Sequence, residues 1–189
     1  VRRHFIDVYF EELEIRKLDV QSSFSGKVGE ENLVVTCRDL FFAGSETMST
    51  TLSWMFLYLA LNPEVQRKVQ AEIENVIGTN LPTLDQRSSM PYTQAVIFES
   101  LRCSSVAPVG IARRVLEDIE VGGYIVPKET LVFSNIYAAH HDPDVWADPY
   151  NFKPERFLSS DGTDIVKYND LVVFSFGKRA CPGEVLAKD

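Results

Sequence analysis

The sequence predicts a mainly α-helical fold with a small β-sheet. Residues 31–62 form one long stretch that is apolar around most of a helical circumference. Other segments repeat apolar residues every three to four positions, as amphipathic helices do. Strand-like patterning is confined to residues 119–134.

The elements follow in chain order. Residues 2–16 place Phe5, Val8, Tyr9 and Leu13 at helical spacing. Residues 21–29 are polar and read as a loop. The long helix of residues 31–62 belongs at the centre of a sizeable protein. Its densest apolar run, residues 52–61, is too short to cross a bilayer, which takes about 20 apolar residues, and reads as a buried segment. Asn62-Pro63 ends it, and Pro63 opens the next helix, where a missing N–H costs nothing. Residues 64–77 are amphipathic with Val65, Val69, Ile73 and Val76 inward, and Gly78 stops them. A loop containing Pro82 leads to a helix over residues 92–103. Residues 119–126 and 130–134 read as two strands joined around Pro127-Lys128-Glu129. Residues 138–176 are loop-rich with short helical turns, and a last helix begins at Pro182.

Composition narrows the function. The 189 residues are enough for one ordinary domain with a real core, and 45% hydrophobic with 24% charged residues is the balance of a globular protein. A net charge of −8 argues against wholesale nucleic-acid binding. Cys37, Cys103 and Cys181 lie far apart and are odd in number, so neither a disulfide framework nor a zinc site is expected. Neither repeats nor a signal or transit segment is evident. The chain opens on Val1 in helical sequence and stops at Asp189, two turns or so into a helix. It is expected to be a single partial domain, residues 1–189, lacking an N-terminal half and the extreme C-terminus.

The richest segment for chemistry is Phe174-Ser175-Phe176-Gly177-Lys178-Arg179-Ala180-Cys181-Pro182-Gly183. Cys181 lies beside two cations, at or next to the N-cap of the expected helix, where free amides and the helix dipole favour a negative sulfur. Gly177 permits a sharp turn, Gly183 permits close approach by a flat ligand, and Arg179 suits a carboxylate. By itself Cys181 fits a buried thiol or a redox cysteine as well as a metal ligand. Upstream, Ala43-Gly44-Ser45-Glu46-Thr47 interrupts the long apolar helix. Its small residues leave space beside the helix, and Glu46 is an acid in an apolar element, which needs satisfaction or a function. Glu99 and Arg102 share one helix face, and Arg156, in Pro154-Glu155-Arg156-Phe157, offers a second fork to the same carboxylate. Arg113 and Arg114 follow a short apolar run. His140, His141 and Trp146 belong to a connecting segment, and the histidines are given no ligand role.

The pattern Phe-x-x-Gly-x-Arg-x-Cys-x-Gly resembles the haem-binding loop of the cytochrome P450 family. With the Ala-Gly-Ser-Glu-Thr groove, Glu-x-x-Arg and Pro-Glu-Arg-Phe, the resemblance runs through four motifs in the family's order over essentially the whole chain. It implies the C-terminal part of that fold and haem b as cofactor, with Cys181 as the axial iron ligand. Phe174 would shield the sulfur, Gly177 and Gly183 would shape the loop, and Arg179 and Arg113 would reach haem propionates, with the register of Arg113 against Arg114 left open. Glu46 and Thr47 would serve dioxygen binding and proton delivery. Glu99, Arg102 and Arg156 would hold the proximal core in a structural role. Residues 106–111 would line the substrate pocket. The implied activity is monooxygenation of an apolar small molecule with O2, using electrons from NADPH-cytochrome P450 reductase that docks near Lys178 and Lys188. Flanking text such as Glu117-Asp118-Ile119 resembles the animal microsomal branch. That implies the cytoplasmic face of the endoplasmic reticulum membrane, through an anchor absent from this chain. Two alternatives are a haem-thiolate isomerase or dehydratase, against which Glu46 and Thr47 argue, and a truncated haem-binding fragment without activity.

Overall fold

A computed structural model describes residues 4–19, 21–166 and 169–188. Residues 2 and 3 of the first expected helix, and residues 167 and 168 of the loop-rich stretch, lie outside the described residues. The architecture is mainly helical with two small antiparallel ladders, as the patterning predicts. The chain divides into two compact units, Val1–Glu46 and Thr47–Asp189, with the boundary inside one helix.

In the first unit, α1 spans Phe5–Ile15, and α2 begins at Gly26 and runs to Leu61. The expected loop over residues 21–29 is therefore shorter, and Gly26 to Gly29 are helical. Packing explains the early start. Tyr9 is buried, its ring lies 4.9 Å from that of Phe24, and its hydroxyl donates to the Gly29 carbonyl at 3.3 Å. A Cβ at Gly29 would collide with the Leu13 side chain and the Phe24 carbonyl, so only glycine permits α1 and the turn before α2 to close on this helix.

The long helix departs from expectation in its burial. Gly29 is its one buried residue, and Phe41, Phe42 and Phe56 are more than 70% exposed. The helix has apolar side chains on more of its circumference than the described residues cover. Residues 52–61 are mostly exposed rather than buried, with Met55, Tyr58 and Leu59 half-buried. In the second unit Tyr58 stacks on Phe152 with ring centroids 4.8 Å apart, and Leu59 packs on the cluster of Val65, Val69 and Val96. No helix among the described residues is long and apolar enough to cross a membrane.

In the second unit, α3 (Pro63–Val76) carries Pro63 at its first turn, and Gly78 ends it at φ +61° with its N–H on the Ile73 carbonyl. Val65 and Val69 face inward and Val76 is half-buried, whereas Ile73 is 39% exposed. Helix α4 (Pro91–Ser104) follows a 3-10 turn at Leu84–Ser89. Its first amides are satisfied by a neighbouring helix. The Glu72 carboxylate on α3 accepts the N–H groups of Tyr92 (2.9 Å) and Thr93 (2.7 Å) and the Thr93 hydroxyl. A second core cluster, Ala95, Trp146 and Phe157, lies against α4.

The sheet region differs from the two expected strands. Gly122 and Gly123, at φ +57° and +83°, fold residues 119–126 on themselves as a hairpin of β2 (Ile119–Val121) and β3 (Tyr124–Val126). The later strand, β4 (Leu131–Val132), pairs instead with β1 (Arg113–Arg114). The connecting segment holds α5 (Ile136–His141) and a 3-10 turn at Pro154–Phe157. The last helix, α6, spans Glu184–Lys188, two residues later than Pro182 would place it. The Gly183 carbonyl accepts its first intrahelical bond, from Ala187, and Pro182 lies in the preceding turn.

Gly29→Ala tests the α1–α2 closure. The overpacked Cβ is expected to cost about 1–3 kcal/mol, read as faster hydrogen exchange confined to residues 5–46.

Candidate functional site

The second unit brings together the three residues that sequence spacing grouped. Glu99 and Arg102 project from α4 and are both fully buried. Arg102 Nε donates to Glu99 Oε2 at 2.8 Å and its Nη2 to Oε1 at 2.9 Å, the bidentate geometry in which a guanidinium and a carboxylate match. Arg102 Nη1 donates to the carbonyls of His140 (2.7 Å) and Pro149 (2.8 Å), and Nη2 also meets the Cys103 sulfur at 3.0 Å. Every N–H of this guanidinium therefore has an acceptor, which is what allows a cation to lie in the core. The guanidinium also lies 5.3 Å from the Trp146 ring centroid.

Arg156, in the Pro154–Phe157 turn, completes the arrangement. Its Nε lies 3.1 Å from Glu99 Oε2 and donates to Oε1 at 3.2 Å, while its other nitrogens bind the carbonyls of Ala147, Asp148 and Asn151. The Lys153 backbone N–H reaches Glu99 Oε1 at 2.8 Å. The carboxylate with its two guanidiniums thus ties α4 to α5, through Arg102, and to the turn-rich residues 147–156. Burial pulls the Arg102 pKa down, but the hydrogen bonds and charge of Glu99 outweigh it and the net shift is upward.

Sequence reasoning gave His140 no role, and the structure gives it one. Its imidazole is fully buried between the Ser105 hydroxyl (2.9 Å to Nδ1) and the Val172 backbone N–H (3.0 Å to Nε2). A backbone N–H only donates, so Nε2 accepts, and the neutral ring carries its proton on Nδ1, facing Ser105. Ser105, at φ +38°, passes its own hydroxyl proton to the Arg102 carbonyl at 2.9 Å. Burial, then the charge of Arg102, then His141, hold His140 down at about 4. The sequence signal was present in the His140-His141-Asp142-Pro143 run, where both histidines are buried, but nothing in it says which of them reaches Val172.

The cysteine loop follows a few residues after Val172. Ser175 N–H closes a turn on the Val172 carbonyl at 2.9 Å, Ser175 and Gly177 adopt φ +59° and +73°, and Gly177–Arg179 form a 3-10 turn. Cys181 N–H then returns to the Phe174 carbonyl at 2.8 Å, so the segment is a closed loop that presents the thiol at its end. Cys181 is exposed, as are Lys178 and Arg179, and Phe174 is half-buried with Lys188 Nζ 5.4 Å from its ring centroid. A Cβ at Gly183 would lie in ordinary van der Waals contact, 3.9 Å, with the Cys181 sulfur. Beyond the loop, Arg87 Nη1 holds the Lys188 carbonyl of α6 at 2.7 Å. The three thiols differ in environment. Burial foremost pushes Cys103 up to about 12, which keeps it protonated, whereas Cys181 faces outward among cations.

The other expected residues are placed separately. Glu46 and Thr47 are exposed on α2 at the boundary of the two units, and a Cβ at Gly44 would meet no heavy atom within 4 Å. Glu46 is solvated rather than buried. Arg113 and Arg114 are both exposed on β1, where successive side chains point to opposite faces. Arg114 pairs with Glu129 at 3.1 Å. Among the described residues no three His, Cys, Asp or Glu side chains gather as a metal site. A lone outward thiol, flanked by cations and glycine, suits a metal whose other ligands belong to a flat anionic macrocycle.

Comparisons with known proteins agree with the motifs. The model of the cytochrome P450 family matches residues 2–189. The chain is similar to cytochrome P450 2J2 of Homo sapiens, 46% identical over 187 residues, covering 98% of this chain and 36% of that protein. It is 43% identical over 186 residues to cytochrome P450 2U1 of Homo sapiens (97% and 33%) and 40% identical over 190 residues to cytochrome P450 1A1 of Limanda limanda (99% and 36%). The chain spans about a third of the length of these relatives.

Two outcomes follow. Arg102→Ala leaves Glu99 buried without its bidentate partner, an expected cost of about 3–5 kcal/mol by denaturant unfolding. His140 takes up a proton near pH 6.5 when unfolded but only near 4 when folded. Between those values the unfolded chain binds more protons, so stability falls as pH drops from 6.5 to 4 and levels off below. The loss is up to about 3 kcal/mol, and it is expected to vanish from the pH–stability curve of His140→Gln.

Proposed function

The chain belongs to the cytochrome P450 family, and on that footing we propose that residues 1–189 form part of the single domain of a haem-thiolate monooxygenase. The observation that carries the reading is the closed loop presenting one outward thiol, Cys181, between Arg179 and Gly183. Haem b, when bound, supplies the redox chemistry by which one atom of O2 enters an apolar substrate and the other leaves as water.

This chain's residues divide the remaining work. Cys181 would be the protein's ligand to the haem iron, presented by its loop next to Lys178 and Arg179 in sequence. Phe174 would shield the sulfur, and Arg179 and Arg113 would pair with haem carboxylates. The pairing of Arg114 with Glu129, on the opposite strand face, supports Arg113 in that role. Gly177 and Gly183 let the backbone approach a flat ligand. Glu46 and Thr47 deliver protons on the oxygen side, the carboxylate as the exchanging acid and the hydroxyl as the positioned donor. Residues 106–111, with Val109 and Ile111 more than half exposed, contribute apolar wall to a substrate pocket. The reading includes an NADPH-dependent flavoprotein reductase at the face of Lys178, and membrane association at the cytoplasmic side of the endoplasmic reticulum.

The test uses the full-length protein. Its reduced carbon monoxide complex is expected to absorb as a haem thiolate, and Cys181→Ala is expected to abolish that band with the fold intact by circular dichroism. A Cys181→Ala protein that kept the band would overturn the assignment. Thr47→Ala is expected to keep the band and NADPH consumption while product formation per NADPH drops by about tenfold or more, since a proton donor is lost and not a ligand.

A further inference from the structure

We infer that His140 is a positioning residue for the cysteine loop, joining the Glu99–Arg102 core to the backbone that carries Cys181. The inference rests on the reading of Cys181 as the haem ligand. Residues 172–183 belong to no long helix and to no named strand, so they have no hydrogen-bonding ladder to hold their register. What the structure supplies instead is a series of bonds. Arg102, fixed on Glu99, donates to the His140 carbonyl at 2.7 Å. The His140 ring accepts the Val172 N–H at 3.0 Å, the Val172 carbonyl accepts Ser175 N–H at 2.9 Å, and the Phe174 carbonyl accepts Cys181 N–H at 2.8 Å.

The chemistry of this joint suits a fixed anchor. His140 is locked at its backbone by Arg102 and at its ring by Ser105, and its side chain is fully buried. The ring presents an in-plane acceptor where the entering strand of the loop has a backbone donor to satisfy. An apolar side chain of similar volume would fill the space but strand the Val172 N–H, a group that costs about 1–3 kcal/mol when left unpaired. The charged and titratable groups acting on the ring are Arg102 from α4, itself paired with Glu99, and His141 from α5. Both disfavour protonation, so Nε2 keeps its lone pair for Val172 across the neutral range.

The experiment compares His140→Leu, His140→Gln and the parent in the full-length, haem-loaded protein by amide hydrogen exchange and by the reduced carbon monoxide spectrum. In His140→Leu the amides of Val172, Ser175 and Cys181 are expected to exchange about tenfold faster or more, while amides inside α4 hold their rates. The thiolate-ligated fraction is expected to decay several-fold faster on warming. His140→Gln, whose Oε1 can accept the Val172 N–H, is expected to restore both. Equal exchange at residues 172–181 in His140→Leu and the parent would overturn the inference, as would a His140→Gln protein no better than His140→Leu. If His140→Leu does not fold, Ser105→Ala, which removes the partner of Nδ1–H, is expected to give a smaller increase at the same amides, and no increase there would overturn it. A parent protein without the thiolate spectrum would sink the haem reading, while the exchange comparison would still decide the role of His140.

Discussion

A carboxylate removed from water needs strong partners, and Glu99 organises the second unit because it has so many. Two guanidiniums and a backbone amide converge on it, and the guanidiniums spend most of their remaining donors on backbone carbonyls, with one Arg102 donor on the Cys103 sulfur. Taking these charges out of water is costly, and the arrangement holds because the carboxylate and the guanidiniums are almost fully satisfied. Trp146, Phe157 and Ala95 pack around the pair and complete the exclusion of water.

The same arrangement explains how a stretch with little regular structure stays ordered. The end of α5 and residues 142–157 after it have few ladder bonds, so their carbonyls must find donors elsewhere. Arg102 serves His140 and Pro149, Arg156 serves Ala147, Asp148 and Asn151, and the Trp146 indole serves Ala139. Long donor-rich side chains here do the work that strands do in a sheet. The cysteine loop is held in the same manner, by His140 ahead of it and by Arg87 behind it.

Surface and core are unevenly shared between the two units. The first unit closes on Tyr9 and Gly29, with most of its long helix exposed. The second unit holds the two apolar clusters and the ionic core. The residues assigned to oxygen, haem carboxylates and iron, namely Glu46, Thr47, Arg113, Arg179 and Cys181, are all exposed, whereas those assigned to structure are buried or nearly so. Groups that meet a ligand need accessible faces, and groups that hold a scaffold gain strength from low dielectric.

Much was legible in the residues. Helix α3, with Pro63 at its start and Gly78 after its end, follows from local chemistry and falls where periodicity places it. Glu99 and Arg102 share a face because three residues make nearly one helical turn, and Arg156 was recognisable as a second fork. The strands were misread because Gly122-Gly123 folds one apparent strand into a hairpin, and the early start of α2 was missed because it depends on Tyr9 and Phe24. Ile73 has the right spacing to face inward, yet it is 39% exposed. The sequence by itself determined the helical periods, the turn-forming glycines and the set of chemically capable side chains, because these depend on neighbours a few positions away. Only the tertiary structure decided that His140 reaches Val172, which carbonyls the arginines satisfy and how the loop ahead of Cys181 is held. Those contacts join residues tens of positions apart, and only packing brings them within hydrogen-bonding distance.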